Sequence, residues 1–180
     1  MGIDEVKAVF LDRDGVINAS VVREGKPYPP ASLEEMQYLP GVGAAIDQLH
    51  AAGFVTIVVT NQPDVARGTQ LASEVDRMHA AMQRDLGLTA VYACMHDDAD
   101  KCHCRKPLPG MITDAARDLG IDLSKSFMVG DRWRDIDAGI AAGVTSIFID
   151  RGYSERKPDQ FAVNVAGLLE AVAWILEQIK

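Results

Sequence analysis

The strongest constraint on this chain is a repeated pattern. Five short apolar runs each end in polar residues, and stretches of helical periodicity separate them. The runs cover residues 6–11, 54–59, 90–93, 127–129 and 144–149. They are rich in Val, Ile and Phe, and only Lys7 is charged, as expected of strands buried on both faces. Between them, Val42, Ala45, Ile46 and Leu49 recur at helical spacing until Gly53. Leu71, Val75, Met78, Met82 and Leu86 mark one face of a helix over about 70–85. Further helices are predicted from Gly110 to Leu119, over 135–142 with Gly143 as cap, and over 164–179. This β-α alternation predicts a parallel sheet covered by helices on both faces. Residues 17–38 hold Gly25, Pro27, Pro29 and Pro30 and read as a long irregular loop, usually functional in a compact domain. Ser32 and Glu35 form a candidate capping box for a short helix.

The polar residues at the strand ends carry the chemistry. In an open α/β sheet, ligands bind at the carboxyl ends of the strands. Asp12 and Asp14, one residue apart on an extended segment, project to the same side. They repel unless a cation joins them, although an Asp-x-Asp-Gly turn is the plain alternative. Thr60-Asn61-Gln62, Lys106, and Gly130-Asp131 with Asp135 stand at other strand or loop ends. Together they suit phosphoryl transfer. A carboxylate attacks phosphorus, a second acid protonates the leaving oxygen and later activates water, and a hydroxyl and a lysine hold the phosphoryl oxygens. Carboxylates at this edge suit Mg²⁺.

Composition limits the partners. At 180 residues the chain fits one domain, 1–180, with a sizeable core. A net charge of −8 argues against a nucleic-acid or anionic-membrane surface, while leaving room for a small phosphorylated substrate. No apolar run reaches the length of a membrane span, and the N-terminus has no signal pattern. A soluble, cytoplasmic monomer is expected. The three cysteines all fall within 94–104, unlike a secreted disulfide framework. Cys94, His96, Cys102 and Cys104 make a Cys₃His set for a structural Zn²⁺, with His103 as the alternative histidine. Such a loop would clamp the chain directly before Arg105 and Lys106 and so position the lysine.

Asp12-Arg13-Asp14-Gly15, Thr60, Lys106 and Gly130-Asp131-x-x-x-Asp135 resemble the four motifs of the haloacid dehalogenase superfamily. The resemblance implies a Rossmann-like, doubly wound parallel sheet in one capless domain. It also implies Asp12 as nucleophile and Mg²⁺ ligand, and Asp14 as general acid/base, reaching the metal through its backbone carbonyl. Thr60 and Lys106 would hold the phosphoryl group. Asp131 would complete the metal site, and Asp135 would support it or the lysine. The Asp-Arg-Asp-Gly-Val-Ile-Asn start, Ala66-Arg67-Gly68 after Thr-Asn-Gln, and Cys-x-Cys-Arg-Lys-Pro-x-Pro-Gly-Met are similar to the heptose 1,7-bisphosphate 7-phosphatases of that superfamily. That family removes the C7 phosphate in nucleotide-activated heptose synthesis for lipopolysaccharide or other surface glycans. It implies a contact from Arg105 to the distal phosphate or sugar, with Arg67 mainly structural, and Asn61, Gln62 and Arg132 beside the motifs and Asn18 and Tyr28 in the 17–38 loop are further candidate substrate contacts. Histidinol-phosphate phosphatases, or enzymes for other small phosphate monoesters, are the enzyme alternative. A non-catalytic, zinc-organised phosphate-binding module is the alternative of another class. The chain departs from the family at Pro63-Asp64, where Ser-Gly is usual, and at Arg132, where lysine is frequent.

Overall fold

The computed structural model describes residues 6–180. Strand β1 (Lys7–Leu11) is followed by a hairpin, β2 (Val21–Arg23) and β3 (Lys26–Tyr28), and then by α1 (Val42–Ala51). Next come β4 (Phe54–Asn61), α2 (Ala72–Leu86), β5 (Ala90–Cys94), α3 (Gly110–Leu119) and β6 (Phe127–Gly130). The chain finishes with α4 (Trp133–Ala142), β7 (Thr145–Ile149), β8 (Val163–Val165) and α5 (Leu168–Gln178). The main sheet has the order β5-β4-β1-β6-β7-β8, and every pairing in it is parallel.

Alternation along β1 explains the two-sided core. Val9 and Leu11 pack with α1 and α5 through Ile46, Leu49, Val172 and Ile175. Ala8 and Phe10 face the other way, among Met111, Ile112 and Ala115 of α3 and Ala138 of α4. These four residues of β1 are fully buried, as a central parallel strand requires.

The strand order reverses direction between β1 and β6, and that crevice is where this architecture binds ligands. Leu11 pairs with Val58 on one side and Val129 on the other. The polar ends of β1, β4 and β6 therefore emerge at one level of one edge.

Three expectations are corrected. The C-terminal helix starts at Leu168, and residues 163–165 form a sixth parallel strand beside β7. Val165 shares helical spacing with Leu168 and Leu169, so periodicity alone merged it with the helix, although Gly167 separates them. The segment 17–38 is not wholly irregular, since its Glu24-Gly25 turn, both at positive φ, closes the β2–β3 hairpin. Ser32 makes no side-chain cap, and only a single turn of 3₁₀ helix, Leu33–Glu35, follows it. Among the described residues, no helix is long and apolar enough to cross a membrane.

Candidate active site

Lys106 sits at the centre of the site. Its buried ammonium has three donors, and each has an acceptor. Nζ donates to Asp12 Oδ1 at 2.8 Å, to the Val59 carbonyl at 2.7 Å and to Asp135 Oδ1 at 2.6 Å. Burial alone would lower its pKa, but Asp12 and Asp135 raise it and keep the charge. The backbone of Lys106 is fixed as well. The Asn61 side chain donates to its carbonyl and accepts from its N–H, both at 3.0 Å. Asn61, expected to touch substrate, thus also ties the end of β4 to the lysine loop.

Around this cation stand three carboxylates. Asp12, Asp131 and Asp135 each bring an oxygen within 4.8 Å of the others. Burial, then Asp135, pushes Asp12 up to about 6. Burial, then Asp12 and Asp135, holds Asp131 well above the usual carboxylate range. Asp135 Oδ2 accepts the N–H groups of Asp131 and Arg132 at 3.1 and 3.0 Å, which shapes the turn into α4. Tyr153 Oη donates to Asp131 Oδ2 at 2.7 Å, while Asp131 Oδ1 is buried with no partner. An orphaned carboxylate oxygen among further carboxylates is an all-oxygen, electron-rich donor set suited to a hard divalent cation. Two glycines make this packing possible. A Cβ on Gly15 would lie 1.8 Å from Asp131 Oδ2, and one on Gly130 would lie 2.1 Å from Asp135 Cβ.

Asp14 sits apart from that cluster. Its carboxylate accepts from the Arg13 fork at 3.0–3.2 Å, from Asn18 Nδ2 at 2.9 Å and from Gln62 Nε2 at 2.9 Å. Burial would raise its pKa, but the Arg13 charge and these hydrogen bonds leave it below the usual value. Asn18 and Gln62 are buried behind Asp14 and do not line the cavity. Their expected substrate contacts are therefore corrected to positioning contacts, because both amides are already spent on Asp14. Thr60 is likewise buried, and its Oγ1 accepts from Gln62 Nε2 at 2.9 Å.

A cavity of about 380 Å³ opens over Asp12, Asp14, Lys106 and Asp135. Tyr28, Lys26 and Pro27 of the hairpin form one wall, with Asp64, Arg67, Arg105, Arg132 and Arg134 around the rest. The concentration of cations contrasts with the chain's net charge of −8. Each arginine has an acid nearby. Arg105 Nε donates to Asp98 at 2.6 Å, Arg132 Nε to Glu155 at 2.9 Å, and Arg67 forms a fork on Asp97 at 2.7 and 2.8 Å. Asp64 accepts from Arg67 at 3.4 Å, so its carboxylate does not face the cavity alone.

The cysteine loop closes on itself. Cys94 Sγ lies 3.6 Å from both His96 Nδ1 and Cys102 Sγ, and His96 Nδ1 lies 3.3 Å from Cys104 Sγ. A tetrahedral zinc site with bonds of about 2.0–2.3 Å separates its donors by about 3.3–3.8 Å, so the four atoms fit one. His103 points elsewhere, paired with Asp114 at 3.0 Å, which favours His96 over it.

The comparisons agree with this geometry. A HAD-hydrolase-like family model matches residues 103–173. D-glycero-β-D-manno-heptose-1,7-bisphosphate 7-phosphatase of Haemophilus ducreyi is 37% identical, over 81% of this chain and 84% of the relative. The enzyme of the same name from Photorhabdus laumondii is 34% identical over 97% and 96%. The chain belongs to this family. A solved D,D-heptose 1,7-bisphosphate phosphatase from B. bronchiseptica, complexed with magnesium and phosphate, superposes with a TM-score of 0.83. It is 32% identical, covering 96% of this chain and 99% of that one.

Within this heptose bisphosphatase family member, several site residues escaped the sequence reading. Tyr153 and Glu155 lie in the loop after β7, and Arg134 lies in the first turn of α4. The available signal was position, since that loop also leaves the carboxyl end of a parallel strand. Arg151 Nε reaches the Gly15 carbonyl at 3.0 Å, and Ser154 N–H reaches the Gly25 carbonyl at 2.8 Å. One short segment therefore ties the Asp12 loop, the hairpin and Asp131 together.

Proposed function

We propose that the chain hydrolyses the C7 phosphate of D-glycero-β-D-manno-heptose 1,7-bisphosphate. The observation that carries this reading is the Lys106-centred cluster of Asp12, Asp131 and Asp135, with Asp14 held separately above it. Asp12 attacks phosphorus, forming a carboxylate-oxygen–phosphorus bond as the bond to the C7 oxygen breaks. Asp14 gives its proton to that leaving oxygen. It then takes a proton from water, whose oxygen attacks the aspartyl-phosphate and frees phosphate and Asp12. Arg13, Asn18 and Gln62 favour the ionised Asp14 needed in the second step. The arriving phosphate dianion, a like charge, favours the protonated form needed in the first. Lys106 steadies the phosphoryl oxygens by sharing a donor that now serves the protein, and Thr60, although buried, joins it through the hydroxyl proton that the bond from Gln62 leaves unused.

Asp12, Asp131 and the Asp14 backbone carbonyl would hold Mg²⁺, with Asp135 in support. When bound, the ion neutralises phosphoryl charge. Cys94, His96, Cys102 and Cys104 would hold a structural Zn²⁺. The second phosphate of the substrate falls toward Arg105, with Lys26, Tyr28 and Arg132 along the sugar.

Rates of phosphate release from the β and α heptose 1,7-bisphosphates and from histidinol phosphate test the substrate. The β bisphosphate is expected to show the highest kcat/KM, and a higher value for histidinol phosphate would overturn the choice. Tyr153→Phe is expected to weaken Mg²⁺ binding about tenfold by titration calorimetry, since the phenol holds one oxygen of Asp131 and leaves the other for the ion.

A further inference from the structure

Arg13 lies between the two catalytic aspartates, yet its side chain is completely buried. A buried guanidinium needs partners on every side. The fork of Nε and Nη2 covers both oxygens of Asp14. Nη1 turns the other way and lies 3.2 Å from His79 Nε2. His79 comes from the middle of α2 and is itself buried. It belongs to none of the motifs and touches neither the cavity nor the carboxylate cluster.

The direction of this contact follows from chemistry. A guanidinium only donates and stays charged, so His79 Nε2 accepts, and the ring is neutral with its proton on Nδ1. Burial, then the charge of Arg13, pushes the His79 pKa down to about 4, which agrees. The Asp14 cage shows a matching bias. Asn18 and Gln62 each point an N–H₂ at Asp14 and leave their carbonyl oxygens buried without partners. An unpartnered buried oxygen costs stability. Both amides thus turn their donors, and not their acceptors, toward Asp14 and help to fix its orientation.

We propose that His79 is a positioning residue for the general acid/base, acting through Arg13. By accepting from Nη1 it holds the plane of the guanidinium, and the fork in turn fixes where the Asp14 carboxyl meets the leaving oxygen. This rests on Asp14 being the acid/base of the proposed reaction.

The test uses leaving-group dependence, which a merely structural role would not produce. Release of a sugar alkoxide needs a proton, whereas release of p-nitrophenolate does not. kcat/KM reports only the steps through formation of the aspartyl-phosphate, so it isolates the acid step from the later base step. In His79→Leu, kcat/KM for the heptose bisphosphate is expected to fall about tenfold, with p-nitrophenyl phosphate changed less than about twofold. His79→Gln, whose Oε1 can accept from Arg13, is expected to restore most of the loss. In an Asp14→Asn background, His79→Leu is expected to add nothing on the bisphosphate. Equal losses on both substrates, or no loss on the bisphosphate, would overturn the proposal. If His79→Leu does not fold, His79→Phe takes its place, since it keeps a flat ring in the core but offers Arg13 no acceptor nitrogen, and the same two outcomes decide. Asp14→Asn alone separates the two levels. If it shows no leaving-group dependence, the acid/base reading itself fails. If it does and His79→Leu does not, only the role of His79 fails.

Discussion

Replacing Asp12 by asparagine is expected to reduce turnover by on the order of 10⁴-fold or more, because an amide cannot form the aspartyl-phosphate. The same change is expected to leave the metal-free fold at least as stable. Asp12 is buried beside Asp131 and Asp135, and burial with Asp135 raises its pKa to about 6. A raised carboxylate pKa means that stability is lost as the pH rises from the unfolded carboxylate range through about 6, and above it the ionised group opposes folding in full. At neutral pH the neutral amide removes that opposition, and its Oδ1 can still accept from Lys106. Melting of both proteins in chelator, together with phosphate release in Mg²⁺, checks the two halves. Retained turnover would contradict the nucleophile, and a markedly lower melting temperature would mean that Asp12 also stabilises the fold as a partner of Lys106.

Loss of the proposed zinc is expected to be the second large effect. Among the described residues, the loop over 95–104 is otherwise tied to the cavity by ion pairs such as Arg67–Asp97 and Arg105–Asp98. Exposed pairs of this kind contribute about 0–1 kcal/mol each, against about 10–16 kcal/mol for structural zinc in small peptides. The loop is therefore expected to open in Cys104→Ser or after zinc extraction. The central lysine is better protected, since Asn61 grips its backbone and three acceptors hold its ammonium. Arg105 has no comparable anchor. The expected result is a KM for the bisphosphate raised about tenfold or more, with a smaller fall in kcat, and a lower melting temperature. Metal analysis of the wild type should give one zinc per chain. Unchanged KM and stability after complete zinc removal would contradict a structural role for the loop.

The sheet and its ligand edge were legible because fully buried strands write themselves as uninterrupted apolar runs, and the polar residues that follow mark their carboxyl ends. Asp12, Thr60, Lys106 and Asp131 were picked out this way, and the structure brings them to one edge of the sheet although they are far apart in sequence. The sixth strand was not found, since three residues of an edge strand give too short a signal and Val165 fell in step with the helix. The sequence reading also assigned side chains to the cavity by proximity to a motif. Asn18 and Gln62 show where that fails, because a polar residue beside a catalytic carboxylate is as readily used to hold it as to meet substrate. His79 carried no signal at all. On a helix face shared with Val75, Met78 and Met82, it looks like a core position, and only the buried charge of Arg13 gives it a purpose. The Cys/His cluster was legible as a candidate zinc loop, but Asn61 and the carboxylates hold Lys106 more directly than that loop does.

Phosphorus NMR of the β heptose 1,7-bisphosphate during turnover with Mg²⁺ decides the reaction most directly, because the two phosphates have distinct resonances. The C7 monoester signal should disappear, one inorganic phosphate should appear per substrate, and the anomeric C1 phosphate should remain. Loss of the C1 phosphate first, or an unchanged spectrum under conditions where histidinol phosphate is hydrolysed, would contradict a C7-specific heptose bisphosphatase.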